Sequence, residues 1–134
     1  MSDDGIRSYP MSDGWEILVG RTARDNDRLT LKVGKPPDFW FHVAGMPGSH
    51  VIARHPDRPE QLPREVKRLA GALAVFFGKG KHGGKTAVHW TTCKHISKRR
   101  GAPPGQVQLK KFETLMVEPI DPSAYFGGTS CPSP

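Results

Sequence analysis

The sequence predicts an α+β fold, an antiparallel-rich mixed sheet with one main amphipathic helix packed on it. Three observations lead there. Several short runs alternate apolar and polar residues with period two, one longer run changes to spacings of three and four, and Gly- and Pro-containing breaks separate them. A chain of 134 residues is the size of one domain and can bury a core without disulfide or metal staples.

Residues 1–14, opening MSDDGIRSYP, read as a polar leader. The domain is expected over residues 15–119. In GWEILVGR, Trp15, Ile17 and Val19 alternate, and in DRLTLKVG so do Leu29, Leu31 and Val33; both read as strands with one buried face, joined by TARDND as a hairpin loop. DFWFHVAG repeats the pattern with Phe39, Phe41 and Val43 inward, which puts Trp40 and His42 together on the opposite face. A Pro47-Gly48 turn leads into HVIARH as a fourth strand. From Gln61 to Phe77 the residues Leu62, Val66, Leu69, Leu73 and Phe76 fall at helical spacing, with Pro63 tolerable only in the first turn and Gly78 a natural stop. TAVHWTTC and QVQLKKFETLMVEP supply further strands, separated by the basic loops GKGKHGG and SKRRGAPPG. Residues 120–134 lack periodicity and read as an irregular tail, frayed or laid over the surface.

The charge distribution is more informative than its total. The net charge is +7, yet no Asp or Glu occurs from Val66 to Phe112, a stretch with eleven Lys and Arg, so this region carries +11 and the remainder −4. Such asymmetry favours a polyanionic partner over an evenly solvated surface. Neither a signal peptide nor an apolar run of membrane length, about 18–20 residues, is present, which points to the cytoplasm and away from a membrane. Cys93 and Cys131 are unclustered and expected to be reduced thiols.

The run DFWFHVAGMPGSHVIARH concentrates residues that a core does not require. Four readings compete. In a catalytic one Ser49 is the nucleophile, His42 its base and Asp38 the orienting acid, with His50 as a further acid or positioning group; adjacent Ser49 and His50 would face opposite ways in a strand, so only His42 could reach Ser49, across the turn. In a metal reading His42 and His50 join Cys93 or His95, but the spacing matches no zinc pattern, and neither metal nor cofactor is expected. In a purely structural reading Trp40 packs on a second layer and the histidines bond backbone. In the fourth, Trp40 is an exposed aromatic that stacks an unpaired base, His42, His50 and Ser49 bond phosphate or ribose, and backbone near Gly48 approaches a phosphate.

The ordered series VGR (Val19 to Arg21), ND followed by LT (Asn26, Asp27, Leu29, Thr30), D-x-W-F-H (Asp38 to His42) and PGSHV (Pro47 to Val51) resembles the NFACT-R domain, the RNA-binding module of NFACT ribosome-quality-control factors. The Leu- and Ala-rich helix, TTCKHISK and GAPPG agree, and the likeness covers about Gly14 to Pro119. It departs where the helix ends FFG rather than with a Ser, where Thr22 replaces a common Asn, and where SKRRGAPPG is unusually basic. The resemblance implies a cytoplasmic binder of transfer RNA or ribosomal RNA, with the large ribosomal subunit as a partner. The sequence contains no coiled coil or helix-hairpin-helix of the long factors, so the stand-alone short form is the nearer likeness. Carried over as the functional surface are Arg21, Asn26, Asp27, Asp38, Trp40, His42, Gly48, Ser49 and His50. Asn26, Asp27, Gly48 and Asp38 also have structural readings, as shapers of the loop, the turn and the PP segment.

The leading expectation is thus a non-catalytic RNA-binding module, with Lys79, Lys81, Lys85, Lys94, Lys98, Arg99 and Arg100 attracting phosphates. A component or enzyme of transfer-RNA modification and a ribosome- or protein-docking module are the alternatives, and DNA is left open as a ligand.

Overall fold

The computed structural model describes residues 5–78 and 83–127. Its strands are β1 (Ile6–Pro10), β2 (Glu16–Gly20), β3 (Phe39–Val43), β4 (Val51–Arg54), β5 (Thr86–Thr92), β6 (Ile96–Ser97), β7 (Gln108–Leu109) and β8 (Glu113–Val117). Helix α1 (Ala23–Arg28) follows β2 and continues as a π-helical turn over Leu29–Val33, and α2 (Arg64–Phe76) follows β4. Six strands form one antiparallel sheet in the order β1-β2-β4-β3-β5-β8, while β6 and β7 pair separately as a short arm. This is the predicted α+β arrangement of an antiparallel sheet and one main helix.

Period-two alternation sorts each central strand between two cores. Ile17, Val19, Phe39, Phe41, Val43, Val51, Ala53 and Val88 point to one face, where Val66, Leu69, Leu73 and the alanines of α2 cover them. Small residues let the helix lie close: a Cβ at Gly71 would meet Leu115 Cδ2 at 2.8 Å. Fully buried side chains such as Phe41 and Leu73 each stabilise the fold by about 1.5–3 kcal/mol. Leu18, Trp40 and Ile52 point the other way into a smaller core closed by Ile6, Leu29 and Cys93, with Val107 and Leu109 packed against it. The part of the second face over Leu18, Trp40 and Ile52 is therefore roofed by α1, its π-helical extension and the β6–β7 arm.

Two elements differ from the expectations. Strand β1 lies within the stretch read as a leader, and ordered pairing begins at Ile6 rather than near Trp15. Ile6 serves the second face and Tyr9 the first, so neither side shows a repeat, and Pro10 is tolerated because the strand is an edge. The run TARDNDRLTLKV is helical, not a loop and a strand. Thr22 and Asp25 form a capping box that starts α1, and Leu29 and Val33, four apart, fit a helix as well as a strand; Leu31, which alternation would bury, is 40% exposed. Within the stretch read as the tail, Ser123–Gly127 form a π-helical turn whose Phe126 ring lies 4.9 Å from that of Tyr9.

Candidate nucleic-acid interface

The candidate residues separate into a buried lattice and an exposed rim. The lattice begins at Asn26 on α1. Its side-chain oxygen accepts from His50 N at 3.0 Å, and its amide donates to Gly48 O at 3.3 Å, so one residue holds both ends of the PGSH turn against the helix. His50 is 1% exposed and continues the lattice. Trp40 Nε1 can only donate, and it donates to Thr30 Oγ1 at 3.0 Å; the Thr30 hydroxyl then donates to His50 Nδ1 at 2.6 Å. That leaves His50 Nε2 carrying the proton, which it donates to Gly105 O at 3.0 Å. Asp27 completes the tie by accepting from Gly105 N at 2.9 Å and pairing with Lys98 Nζ at 3.2 Å. The GAPPG loop is thereby fastened to α1 and to the turn at both faces of Gly105, whose φ of +86° suits glycine.

The rings of Trp40, His42 and His50 pack on one another, with centroids 5.8, 5.1 and 5.4 Å apart. Burial pushes both histidines below their ordinary range. For His50 desolvation is the largest cause, followed by the neighbouring His42, and the result is about 4. His42 is lowered mainly by desolvation, with His89 adding to it and the Gly48 backbone opposing it. Both rings are neutral at pH 7.

These contacts correct several expectations. Trp40 is 2% exposed and donates within the core, so it is no stacking platform. Both nitrogens of His50 are engaged by Thr30 and Gly105, which removes it as a direct phosphate ligand. Lys98 bonds Asp27, Pro103 O at 2.7 Å and Gln106 O at 2.9 Å, so its ammonium organises the loop instead of projecting into solvent. Asp38 accepts from Lys35 N at 2.8 Å beside the PP segment, at the opposite end of β3 from the Pro-Gly turn. The structure does not bring Asp38, His42, Ser49 and His50 together as acid, base and nucleophile.

An open cleft of about 650 Å³ lies over the lattice. One wall is Arg21, Thr22 and Asn26, another Pro103 to Gln106, and His42, Gly48 and Ser49 meet Phe77 and Gly78 between them. The floor is tight: a Cβ at Gly48 would sit 3.3 Å from Gly78 Cα, so the turn and the end of α2 touch backbone to backbone. Phe77 and Gly78 are the FFG ending. Sequence reasoning had identified GAPPG as a loop but not as a wall; its adjacency to the Lys98-Arg99-Arg100 run was the available signal. Arg21, Arg99 and Arg100 are exposed, as are Lys94 and Lys85, while Lys79 and Lys81 lie outside the described residues. Among the described residues no helix is long and apolar enough to cross a membrane, and no cluster of three His, Cys, Asp or Glu could hold a metal ion.

Comparison with known proteins gives this arrangement a family. The family model for the NFACT protein RNA binding domain matches residues 6–111. The chain belongs to that family. It is 35% identical over 114 residues to the Rqc2 homolog RqcH of Bacillus subtilis, covering 85% of this chain and 19% of the relative, and 37% identical over 114 residues to RqcH of Streptococcus suis, covering 84% and 20%. The chain thus spans about one fifth of the length of these curated relatives. A weaker relative, Coiled-coil domain-containing protein 25 of Bos taurus, is 24% identical over 113 residues, 82% of this chain and 54% of that protein. Among solved structures, the C-terminal part of the fibronectin/fibrinogen-binding protein from Streptococcus suis superposes with a TM-score of 0.80 at 34% identity, over 90% of this chain and 48% of that one. The match starting at residue 6 agrees with β1 being part of the NFACT domain.

Proposed function

We propose that this chain is a non-catalytic, cytoplasmic RNA-binding module that engages transfer RNA or ribosomal RNA in ribosome-associated quality control or translation, with the large ribosomal subunit as its platform. The observation that carries the proposal is the placement of the acid-free segment. Its exposed Arg99 and Arg100 flank the GAPPG wall of the cleft, and Arg21 lies on the opposite wall. Phosphates along an RNA backbone would find cations on both sides of a groove whose floor is glycine backbone and neutral polar side chains. The buried lattice fixes the loop that presents Arg99 and Arg100, so their spacing is set before RNA arrives. The names of the RqcH relatives support a link to ribosome quality control. Participation in transfer-RNA modification receives no comparable support from the Asp38, His42, Ser49 and His50 geometry.

Fluorescence anisotropy with transfer RNA and with duplex DNA of matched charge, each across a salt series, tests this. Tight, salt-sensitive binding that favours transfer RNA is expected. Arg99→Ala with Arg100→Ala should weaken every RNA and lower the slope of log affinity against log salt by roughly one per cation removed. An unchanged slope would take the loop out of the site. Equal affinity for both nucleic acids would reduce the module to a general polyanion surface, and binding to neither would favour a protein-docking role.

A further inference from the structure

The second face of the sheet is only half roofed. On the β1, β2 and β4 side, α1 and the β6–β7 arm close over Leu18, Ile52 and Trp40. Beyond Trp40 the same face continues across β3, β5 and β8, where His42, His89 and Thr114 stand in register as direct cross-strand partners and so project to the same side. Phe112, just before β8, lays its ring on His89 with centroids 4.2 Å apart and planes inclined by 39°. Phe112 is 46% exposed and Met116, two residues from Thr114 on the same face, is 56% exposed; they are the most exposed large apolar side chains among the described residues. Helix α2 lies on the other side of these strands, packed over Val88, Leu115 and Val117. His42 also lines the cleft, so the open face and the cleft are continuous.

The charge around this patch is one-sided. Lys110 and Lys111 precede Phe112, and together with Lys94 they lie close enough to His95 to push its imidazole below the ordinary range, after desolvation as the leading cause. Glu113 pairs across from Trp90 and therefore faces the α2 side, while Glu118 falls past the end of β8. A pair of contacting rings with cations at their margin and, among the described residues, no carboxylate between them suits a base whose phosphate neighbours the lysines. A duplex hides its base faces, so only an unpaired nucleotide can use the rings.

We propose that the open half of this face, centred on the contacting His89 and Phe112 rings, is a stacking platform for an unpaired nucleotide of the bound RNA, with Lys110 and Lys111 taking the adjoining phosphates. This rests on the RNA-binding reading above and narrows its substrate to RNA with a single-stranded segment leading from the cleft.

The test compares an unstructured single-stranded RNA with an RNA duplex of equal phosphate count, using the full chain. Phe112→Ala should weaken the single strand by roughly ten-fold and the duplex by less than about two-fold, since each stacked base contributes a modest, sequence-tolerant term. Phe112→Leu, which keeps apolar bulk but no π face and guards against a folding defect, should show the same selective loss. Phe112→Trp should retain affinity, and its added fluorescence should be quenched by the single strand and not by the duplex. Equal losses on both RNAs, or no loss on the single strand while the unmodified chain still binds it, would overturn the platform and leave the RNA-binding reading standing. Failure of the unmodified chain to bind any RNA would overturn both.

Discussion

The buried lattice and the exposed rim are both built from polar or charged side chains, and they do opposite jobs. In the lattice, Asn26, Asp27, Thr30, Trp40 and His50 satisfy one another and the backbone of two loops. On the rim, Arg21, Arg99 and Arg100 face solvent along the cleft. Residue type alone therefore does not reveal which polar side chains meet a ligand. A polar group surrounded by protein holds a loop in place, and the loop carries the charges that meet RNA. Substitutions in the lattice should change stability first and reach affinity only where they free the loop that presents Arg99 and Arg100, whereas those on the rim should change affinity and leave stability alone.

The largest expected effect is at Asn26. Asn26→Ala removes the acceptor for the buried His50 N and the donor to Gly48 O together. Two orphaned backbone groups should cost about 3–4 kcal/mol, read from urea unfolding. Asn26→Asp keeps the acceptor, loses the donor and should fall between. A loss below about 1 kcal/mol for the alanine variant would mean that the turn is not held by this residue.

Protonation of His50 should come next. Its folded-state value near 4 lies below the ordinary 6.5, so the unfolded chain takes up a proton that the folded chain refuses. Stability is then fully present above about pH 6.5 and falls as pH drops toward 4, by about 3 kcal/mol for this group. His42, also lowered, acts in the same direction. His50→Gln should be less stable at neutral pH and should lose most of the dependence between pH 6.5 and 4. A parallel decline in both proteins would assign the acid sensitivity to other groups.

Much of this division could be read from the sequence, and the rest could not for identifiable reasons. Alternation in FWFHV correctly placed Trp40 and His42 on the same face, because a strand admits no other geometry. It could not say that the face is roofed at Trp40 and open at His89, since the roof comes from α1 and from the β6–β7 arm, far along the chain. The roof was itself misread: Leu29, Leu31 and Val33 satisfy a strand pattern, and only the capping box of Thr22 and Asp25 together with tertiary packing selects the helix. With a loop and a strand in place of α1 and its extension, nothing in the pattern seats Thr30 under Trp40, so the indole stays open to a ligand-platform reading. Lys98 was misassigned in a similar way. Its charge counts toward the basic stretch, but its ammonium is held by Asp27 and two carbonyls.

Trp40 gives the smallest and most discriminating comparison. Trp40→Phe keeps a ring against His42 and His50 and removes the Nε1 donor to Thr30 Oγ1. Thr30 keeps His50 Nδ1 as a partner, so the lost bond and the smaller ring together should cost about 1–2 kcal/mol. Because the indole is 2% exposed, transfer-RNA affinity at a temperature where both proteins are folded should stay within about two-fold. Anisotropy and urea unfolding on the same preparations separate the two outcomes. Lost affinity with intact stability would place the indole in contact with RNA and reverse the division between lattice and rim. Lost stability with intact affinity would show that the aromatic in the D-x-W-F-H series serves the fold, leaving the exposed Phe112 as the aromatic to examine for contact with bases.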